Sequence, residues 1–343
     1  MFTPEVTVLL PVYNGEEFIQ QSVESILNQT LTNFNFLIID DGSTDRTKEI
    51  LLRYKKEDSR IYLISRNNKG LIATLNEGLY TAKTKFIARM DADDISCPTR
   101  LETQLCFMKN NPEISVSGSS IKTIETKENI HFFEDRHDLK ASSIFYCPVA
   151  HPTVIFNRND VLSVGGYSTS AVNAEDYDLW DRMLYAGYSF ANIKEELLWY
   201  RLNLNKDRYL YYAKMNKTTA KIQSRILNRI GIYPSKRNML LHHLCTTARY
   251  EPFLKTRQIK NWIKYIILNN HKYRYANQES LEKIAEILIK NITIIKFSDY
   301  PQKWIRRYAW HFVYGVLTLA GNQDTILAAY IESLWKKIKQ IYS

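Results

Sequence analysis

The stretch Arg89-Met90-Asp91-Ala92-Asp93-Asp94 places three carboxylates within four positions, directly after the apolar residues 86–88. If that apolar run is a buried strand, Asp91 and Asp93 point to the same side, because successive side chains of a strand alternate between its faces. Neighbouring carboxylates repel each other unless one is protonated or a cation bridges them, and an all-oxygen site suits Mg²⁺ or Mn²⁺. The stretch therefore predicts a divalent metal site, although alone it is equally consistent with a solvated acidic turn.

Three strand-like segments precede this stretch, and a helix-like segment follows each of them. The apolar runs are residues 6–12, 36–39 and 61–64, and residues 86–90 form a fourth. This alternation predicts an α/β fold with a doubly wound, mainly parallel sheet, in which ligands bind outside the carboxyl ends of the strands. Four polar clusters follow the four strands, which favours a binding site over a solvated turn. They are Tyr13-Asn14, Asp40-Asp41, Asn67-Asn68 and Asp91 to Asp94. Asn14 and Glu17 also resemble a capping box, which predicts that the first helix begins beside them.

Composition and charge narrow the class of protein. The chain has 343 residues and 45% apolar content, which is enough for a sizeable core, and its four cysteines form no C-x-x-C pair. No basic leader and no run of about 20 apolar residues is present, so we expect a cytoplasmic protein that does not cross a membrane. Residues 1–200 carry 20 Lys and Arg against 28 Asp and Glu, whereas residues 201–343 carry 26 against 8. Two regions with different partners are therefore expected.

Three motifs together resemble glycosyltransferase family 2. They are Val8 to Asn14, Asp40-Asp41-Gly42-Ser43-Thr44-Asp45 and Asp91-Ala92-Asp93-Asp94, in this order and at these distances. The resemblance covers about residues 5–205 and implies an inverting enzyme of the GT-A fold that uses a nucleotide-diphosphate sugar. We accordingly expect a catalytic domain over residues 1–205, divided into a nucleotide-sugar part (1–118) and an acceptor part (119–205). A basic α-helical region would follow over residues 206–343.

The resemblance also implies roles for individual residues. Tyr13 and Asp41 would hold the nucleobase, Asp91 would lie near the ribose, and Asp93 would ligate Mn²⁺ or Mg²⁺ on the diphosphate. Other residues in or near these motifs are further candidates. Those for donor binding are Pro11, Asn14, Asn68, Ala92 and Arg201. Asp40, Asp94 and His151 are candidates of lower rank. Many relatives have a histidine two positions after the arginine that corresponds to Arg201, but this chain has Asn203, so the third metal ligand is left open.

A predicted helix beginning near Glu175 and Asp176 supplies the candidate base. Acidic residues are favoured at a helix N-terminus by the helix dipole alone, so position does not decide their role. The resemblance implies that Asp176 is the general base, with Glu175 as the second candidate. Asp178 and Asp181 are expected to face solvent. Residues 147–156 are predicted to form another strand, in which His151 either lines the pocket or is a buried turn residue.

The basic C-terminal region reads as six helices with lysines beside apolar and aromatic positions. They are predicted over residues 209–230, 236–250, 256–269, 279–292, 304–319 and 325–341. Lysine-rich amphipathic helices with Trp and Tyr suit an anionic membrane surface, so we expect peripheral association with the inner face of the plasma membrane. Trp304, Trp310 and Trp335 are candidate interfacial anchors, against an equally weighted alternative of ordinary helix packing.

The function predicted from these features is transfer of one sugar, from a UDP-hexose or UDP-N-acetylhexosamine, to a hydroxyl of a surface glycan. The acceptor would be a lipid-linked glycan, such as lipooligosaccharide, O-antigen or capsule. The Gln-x-x-Arg-Trp motif of processive synthases is absent, which favours single transfer. A nucleotidyltransferase is the alternative, but the Gly-rich loop with a basic residue after the first strand is missing. A nucleic-acid-binding protein is disfavoured, because an acidic sheet edge would repel phosphates.

Overall fold

The computed structural model describes residues 3–202, 209–247 and 256–294. The chain divides into two units. The first consists of Met1–Ser143 and Cys147–Leu204, and the second of Ile144–Tyr146 and Asn205–Ser343. Asn203, the helices predicted over residues 304–319 and 325–341, and the three tryptophans proposed as anchors lie outside the described residues.

The first half of the first unit is a parallel α/β sheet. Its strands are β1 (Val6–Val12), β2 (Asn35–Asp40), β3 (Ile61–Ser65) and β4 (Phe86–Arg89). They lie in the order β3-β2-β1-β4 and all pair in parallel. Helices α1 (Ile19–Leu27), α2 (Thr47–Glu57) and α3 (Leu71–Thr81) connect them. The polar segments after the four strands therefore lie along the same edge of the sheet, as the sequence predicted.

The sheet continues beyond β4 with strands of mixed direction. Its second half contains β5 (Ile95–Ser96), β6 (Ile114–Thr123), β7 (Asn129–Ile130), β8 (Ile155–Asn157) and β9 (Ser189–Tyr200). The order is β4-β8-β6-β9-β5, with β7 paired to β6. β8 is antiparallel to both β4 and β6, whereas β6 and β9 are parallel. The helices of this half are α4 (Arg100–Asn110), α5 (Arg136–Ser142), α6 (Arg158–Ser163) and α7 (Glu175–Tyr185).

Both faces of the sheet are covered, which explains the nearly continuous apolar sequence of β1. All seven residues of β1 are buried. Val8 and Leu10 belong to a core with apolar residues of α1, α2 and α4, while Leu9 belongs to the opposite core with residues of α3, α6 and α7. Alternate side chains of one strand thus serve two cores, as a doubly wound sheet requires.

Three local predictions were wrong. α1 begins at Ile19, and Asn14 adopts a positive φ of 52° instead of capping that helix. Residues 147–156 are not one strand, because a 3₁₀ helix over His151–Thr153, with Pro152 in its first turn, precedes the short β8. Asp178 and Asp181 do not face solvent. They are 5% and 0% exposed, and Asp178 forms an ion pair of 2.8 Å with Arg182.

The described part of the second unit is helical. It contains α8 (Tyr209–Arg229), α9 (Lys236–Thr247), α10 (Thr256–Tyr273) and α11 (Gln278–Ile294). Apolar residues of these helices are buried, among them Ile226, Leu244, Ile263 and Leu281 at 0% exposure. Within the described residues, no helix combines the length and apolar character that a bilayer span requires.

Candidate active site

The acidic cluster lies where the chain leaves β4 at the sheet edge. Asp91, Asp93 and Asp94 each place a carboxylate oxygen within 4.8 Å of the others. Asp94 is 1% exposed and its Oδ1 accepts a hydrogen bond from the Arg201 amide at 2.8 Å. Its Oδ2 is buried and has no hydrogen-bond partner among the described residues. A buried oxygen without a donor is costly, so this atom fits a site in which a cation would supply the missing partner.

The pKa shifts of the clustered carboxylates also favour a bound cation. Burial, and then repulsion from Asp91, raises the pKa of Asp93. Burial, and then repulsion from Asp91 and Asp93, raises the pKa of Asp94 well above its usual value. Three carboxylates in this space are therefore mutually destabilising when ionised. Because all of the available ligand atoms are oxygens, the residues present fit Mg²⁺ or Mn²⁺.

Two arginines fix the geometry of the cluster. Arg89 is 4% exposed and its Nη1 forms an ion pair with Asp91 Oδ2. Arg201 donates from Nε to the carbonyl of Asp93 at 2.8 Å and from Nη2 to Gln21 Oε1 at 2.9 Å, and its guanidinium lies 4.1 Å from the centre of the Phe18 ring. Arg201 therefore holds the acidic loop in place. Its predicted part in donor binding stays a prediction.

Asp41 is held by the loop that follows β3. Its Oδ1 accepts from the Lys69 amide at 2.8 Å, its Oδ2 accepts from the Gly70 amide at 2.9 Å, and it forms an ion pair with Arg66. Arg66 is itself fixed by Glu77 at 2.7 Å. A carboxylate offers about four lone pairs, so the three protein donors leave room for roughly one more. That remaining position is what contact with a nucleobase would need.

The Asp40 side chain organises the turn beside Asp41. It is fully buried, accepting from the Ser43 amide at 3.0 Å and from Ser65 Oγ at 2.8 Å. Gly42 has a φ of 79°, and a Cβ built there would lie 2.6 Å from the Asn68 backbone nitrogen. The Asp-Gly sequence is therefore required for the turn and for the close approach of the two loops.

The other donor-side candidates lie along the same edge. Tyr13 is 53% exposed at the end of β1, where its ring is open to a ligand, whereas Pro11 is buried in β1 opposite Ile39. Asn14 is exposed, and its Oδ1 accepts from the Thr44 amide at 2.8 Å, which joins the first two loops. Asn68 is exposed and Ala92 is half-buried.

The candidate base lies in the first turn of α7. Asp176 Oδ1 accepts from the Tyr177 amide at 2.7 Å, and Oδ2 lies 3.7 Å from the Cys147 thiol. Burial raises the pKa of Asp176, while burial followed by the charge of Asp176 raises the pKa of Glu175 to about 7. The positive charge of Arg89 opposes both shifts. The charge of Arg89, which pairs with Asp91, thus also bears on the candidate base, and we expect the acidic cluster and Asp176 to face the same region.

His151 is part of a packed aromatic group beside that site. It is 7% exposed, and its Nε2 shares a hydrogen bond of 2.8 Å with Tyr167 Oη. Burial, and then Arg89, lowers its pKa well below the usual value, which favours the neutral ring. The Asn76 side chain on α3 holds Tyr167 in place. It donates to the Tyr167 carbonyl and accepts from the Tyr167 amide, both at 2.9 Å. The interpretation of His151 as a buried histidine agrees with this packing, and its role toward a ligand stays a prediction.

Sequence reasoning assigned no role to four residues that shape the site. Arg89 binds Asp91, Arg66 binds Asp41, Cys147 contacts Asp176, and Tyr167 bonds His151. Arg89 offered a signal, since it lies two positions before Asp91 on the same side of the chain. The partners of Arg66, Cys147 and Tyr167 are 16 to 29 positions away, where no local pattern reveals them.

Comparison with known proteins gives consistent results. Residues 7–170 match the family model described as Glycosyl transferase family 2. The O-antigen biosynthesis glycosyltransferase WbnJ of Escherichia coli is 30% identical over 264 residues, which span 75% of this chain and 92% of WbnJ. The crystal structure of S. aureus TarS 1-349 in complex with UDP-GlcNAc gives a TM-score of 0.57 at 16% identity, covering 84% of this chain and 89% of that one.

A second solved structure has the same fold. The mannosyltransferase PcManGT from Pyrobaculum calidifontis, in complex with GDP-Man and Mn²⁺, gives a TM-score of 0.54 at 16% identity. The match covers 93% of this chain and 88% of that one. At such identities the two structures bear on the fold alone, and they confirm the fold class predicted from the strand pattern.

Proposed function

This chain belongs to glycosyltransferase family 2 and has the GT-A fold, and from that premise we propose that it transfers one sugar from a nucleotide-diphosphate sugar to a glycan hydroxyl with inversion. One observation carries the proposal. Arg89 pairs with Asp91 of the oxygen cluster, and its charge also bears on the carboxylate of Asp176, which supports placing the cluster and the base in one site. A donor diphosphate at the cluster and an acceptor hydroxyl at Asp176 would therefore meet at this sheet edge.

The donor side combines a nucleobase position with a cation position. Tyr13 presents an exposed ring at the end of β1, and Asp41 retains about one lone-pair position for a ring N–H. Asp93, assisted by Asp91 and Asp94, would hold Mn²⁺ or Mg²⁺. A bound divalent ion supplies Lewis-acid stabilisation of the charge that develops on a leaving diphosphate. TarS 1-349 in complex with UDP-GlcNAc, and PcManGT in complex with GDP-Man and Mn²⁺, have this fold and hold ligands of the class proposed here.

On the acceptor side, Asp176 takes the proton of the attacking hydroxyl. A hydroxyl with a pKa far above 7 needs a base within hydrogen-bond reach in the transition state. Asp176 is half-buried, and the amide of Tyr177 fixes its Oδ1. Attack from the side opposite the diphosphate inverts the anomeric centre, so an α-linked donor gives a β-linked product. The sugar moves in one displacement, without a covalent intermediate on the enzyme.

A surface polysaccharide is the acceptor class that the relatives favour. WbnJ of E. coli acts in O-antigen biosynthesis, and a further relative, AmsE of Erwinia amylovora, acts in amylovoran biosynthesis. Such a glycan grown on a lipid carrier would bring the enzyme to the cytoplasmic face of an anionic membrane. The second unit offers a basic surface for that encounter. A shallow depression of about 670 Å³ runs along α8, with Lys217, Lys221, Arg225 and Arg229 among its lining residues.

A donor screen tests the proposal. The purified chain is incubated with UDP-, GDP- and TDP-sugars and Mn²⁺, and nucleotide release is measured with and without a lipid-linked glycan acceptor. We expect acceptor-dependent release of a nucleoside diphosphate from one donor class. Release of pyrophosphate from a nucleoside triphosphate and a sugar phosphate would instead identify a nucleotidyltransferase.

A further inference from the structure

The Arg66 guanidinium lies beside Asp41, directly after β3. Its Nε donates to Glu77 Oε2 at 2.7 Å, and its Nη2 donates to Thr74 Oγ1 at 2.9 Å. Its Nη1 donates to Asp41 Oδ1 and also to the Asn67 carbonyl, the latter at 3.0 Å. Four of the five N–H groups of the guanidinium are thus bound within the protein. Arg66 therefore has a fixed position next to the carboxylate that we propose for nucleobase binding.

The two oxygens of Asp41 are unequally occupied. Oδ1 accepts from the Lys69 amide at 2.8 Å and from Arg66 Nη1. Among the described residues, Oδ2 accepts only from the Gly70 amide, at 2.9 Å. A carboxylate oxygen offers about two lone pairs, so Oδ1 is full and Oδ2 retains about one. Asp41 is 4% exposed, which means that protein donors rather than water fill most of these positions. A ligand can therefore place one N–H donor on Asp41, and no more.

The two loop amides keep their direction independently of Arg66. Gly70, the residue before α3, has a φ of 85°, a conformation that favours glycine. Its carbonyl accepts from the Thr74 amide at 3.1 Å and from Thr74 Oγ1 at 3.0 Å. The backbone of the loop thus aims the Lys69 and Gly70 amides at Asp41. The Arg66 guanidinium is the one side-chain donor among the three protein donors to this carboxylate.

The bases differ in the donors that their hydrogen-bonding edges present. Uracil and thymine have a single ring N–H between two carbonyl oxygens. Guanine has two adjacent donors, its ring N–H and its amino group. Cytosine and adenine have an unprotonated ring nitrogen beside an amino group, and the lone pair of that nitrogen repels a carboxylate. The uracil and thymine edge is therefore the one that matches a carboxylate with a single free acceptor position.

Stacking on Tyr13 does not distinguish between the bases. Its ring is 53% exposed at the end of β1. Every base has a π-face, so an aromatic platform adds affinity with little selectivity. Selection between bases is consequently left to the hydrogen-bonding groups at Asp41.

We propose that Arg66 restricts the donor to nucleotides of uracil or thymine, because it occupies the second acceptor position of Asp41 Oδ1. The inference rests on the proposed function, in which Asp41 holds the nucleobase of the donor. A guanine on Asp41 leaves its amino group facing the Arg66 guanidinium, donor against donor, and a donor that loses its partner on binding is costly. Cytosine or adenine sets two lone pairs against each other. Arg66 is thus a specificity-determining residue, although it lies outside the motifs that suggest the donor site.

Calorimetric titration of nucleoside diphosphates into the full chain, with Mn²⁺ present, tests the proposal. UDP should bind more tightly than GDP, CDP and ADP by about 10-fold to 10²-fold, the effect of one unpaired hydrogen-bonding group. UDP methylated at N3 lacks the ring N–H and should lose about the same factor. These titrations require neither the sugar nor the acceptor to be known.

Arg66→Met tests the residue itself, since it removes the guanidinium while the two loop amides remain. One lone pair of Asp41 Oδ1 then becomes free for a second donor. The GDP dissociation constant divided by that of UDP should therefore fall by about tenfold. General loosening of the loop weakens both nucleotides and leaves this ratio unchanged. Arg60→Met is the matched control, because Arg60 forms an ion pair of 2.8 Å with Asp58 just before β3, at the opposite edge of the sheet.

Three results would overturn the proposal. They are wild-type binding of GDP, CDP or ADP at least as tight as that of UDP, UDP affinity that survives methylation at N3, and an unchanged ratio in Arg66→Met. The first two depend on the wild-type chain alone and hold even if the variant fails to fold. Sugar transfer together with any of these results would leave the proposed function intact and refute the role of Arg66. Absence of binding by all of the nucleotides would instead refute the proposed function, and this inference with it.

Discussion

Asp176, the proposed general base, has a carboxylate that is partly accessible and held in place. It is half-buried, and its two oxygens contact the Tyr177 amide and the Cys147 thiol. Burial raises its pKa above the ordinary value of 3.8, the direction that makes a carboxylate a stronger base, and the charge of Arg89 opposes this shift.

Asp176→Asn should keep donor affinity and lose transfer by a factor of at least about 10², since the amide cannot accept the proton. The measurement is kcat with saturating donor and acceptor, together with donor binding by calorimetry. Glu175→Gln is the matched control in the same helical turn. Activity in Asp176→Asn together with inactivity in Glu175→Gln would move the base by one residue.

Asp93→Ala should abolish Mn²⁺-dependent donor binding and transfer while leaving the circular dichroism spectrum unchanged. The side chain is half-buried at the sheet edge, and Arg201 supports the loop through the Asp93 carbonyl, which the variant keeps. Calorimetric titration of UDP with and without Mn²⁺ measures the effect. Turnover by the wild-type chain in excess EDTA would show that this assignment of the metal is wrong.

Glu175 should make stability fall with rising pH. Its pKa is raised from 4.5 to about 7, so between these values the native state binds more protons than the unfolded state. The free energy of unfolding then decreases as pH rises through this window. Because Gln does not titrate, the stability of the wild type relative to Glu175→Gln should be lower at about pH 8 than at about pH 5.

Urea unfolding at the two pH values tests this expectation. Titrating groups that do not interact with Glu175 contribute equally to the wild type and the variant and cancel in the difference. Glu57→Gln on the exposed side of α2 serves as the control and should show no such change. A wild-type advantage that grows with pH would give the opposite sign and contradict the assigned shift.

The candidate residues for metal binding and proton transfer were the easiest to nominate from the sequence. Asp91 to Asp94 and Asp176 stand in short motifs whose residue types suit these roles. Arg66 and Cys147 were not assigned, because each acts through a partner 25 and 29 positions away, respectively. Asp178 was misplaced because a helix N-terminus rich in acids suggests solvent, whereas its ion pair with Arg182 allows burial.

At the scale of elements, periodicity predicted the parallel half of the sheet and failed where the chain changes direction. β1 to β4 are buried on both faces, which leaves a clear apolar run in each. The segment over residues 147–156 also looks apolar, yet Pro152 cannot donate to a sheet and the chain forms a 3₁₀ turn. The capping box at Asn14 failed because Thr44 uses its side-chain oxygen instead.

Helix propensity and packing predict opposite effects of Gly78→Ala, a substitution on α3, on the free energy of unfolding. An alanine in a helix interior is favoured over glycine by about 1 kcal/mol. A Cβ at position 78 would, however, overlap the side chain of Leu9, which is 1% exposed in β1. Overpacking of a buried contact costs about 1–3 kcal/mol, so packing should win and Gly78→Ala should lower stability.

Chemical denaturation of Gly78→Ala, Leu9→Ala and the double variant measures this contact. Leu9→Ala alone removes buried atoms and is destabilising. In the double variant the new methyl group has room, so the combined loss should be smaller than the sum of the single losses. A gain in stability for Gly78→Ala alone would show that the helix moves freely against β1.

At the scale of the whole molecule, the charge asymmetry and the helix periodicity indicated two regions. They could not indicate that Ile144–Tyr146 belong to the second unit. This three-residue segment is apolar like many others, and only its contacts with His242 and Gln223 reveal where it belongs. Long-range assignments of this kind depend on partners about 78 to 98 positions away, which no local pattern encodes.

The basic character of residues 201–343, with 26 Lys and Arg against 8 Asp and Glu, leads to the prediction for the whole chain. Lys217 and Lys221 are exposed one turn apart on α8, and α10 exposes Lys264 together with Leu268, which is 71% exposed. Lysines near an anionic surface contribute about 1 kcal/mol each, and salt screens this attraction. Sedimentation with phosphatidylserine vesicles should show binding that weakens steeply from about 50 mM to about 500 mM salt, with little binding to neutral vesicles at any salt.

Charge reversal tests whether the surface itself is responsible. Lys217→Glu/Lys221→Glu should lose most of the vesicle binding, whereas Lys55→Glu/Lys56→Glu, the same charge change at exposed positions on α2, should keep it. Equal losses in both double variants would mean that net charge alone drives binding. Vesicle binding that does not change with salt concentration, or that does not prefer anionic lipid, would contradict the membrane role.

The expected effect of the charge reversal is large. A contribution of about 1 kcal/mol per lysine means that removing two charges weakens partition into the vesicles roughly 30-fold, and reversing the charges adds repulsion to that loss. The affected and unaffected variants should therefore separate clearly in a single sedimentation series.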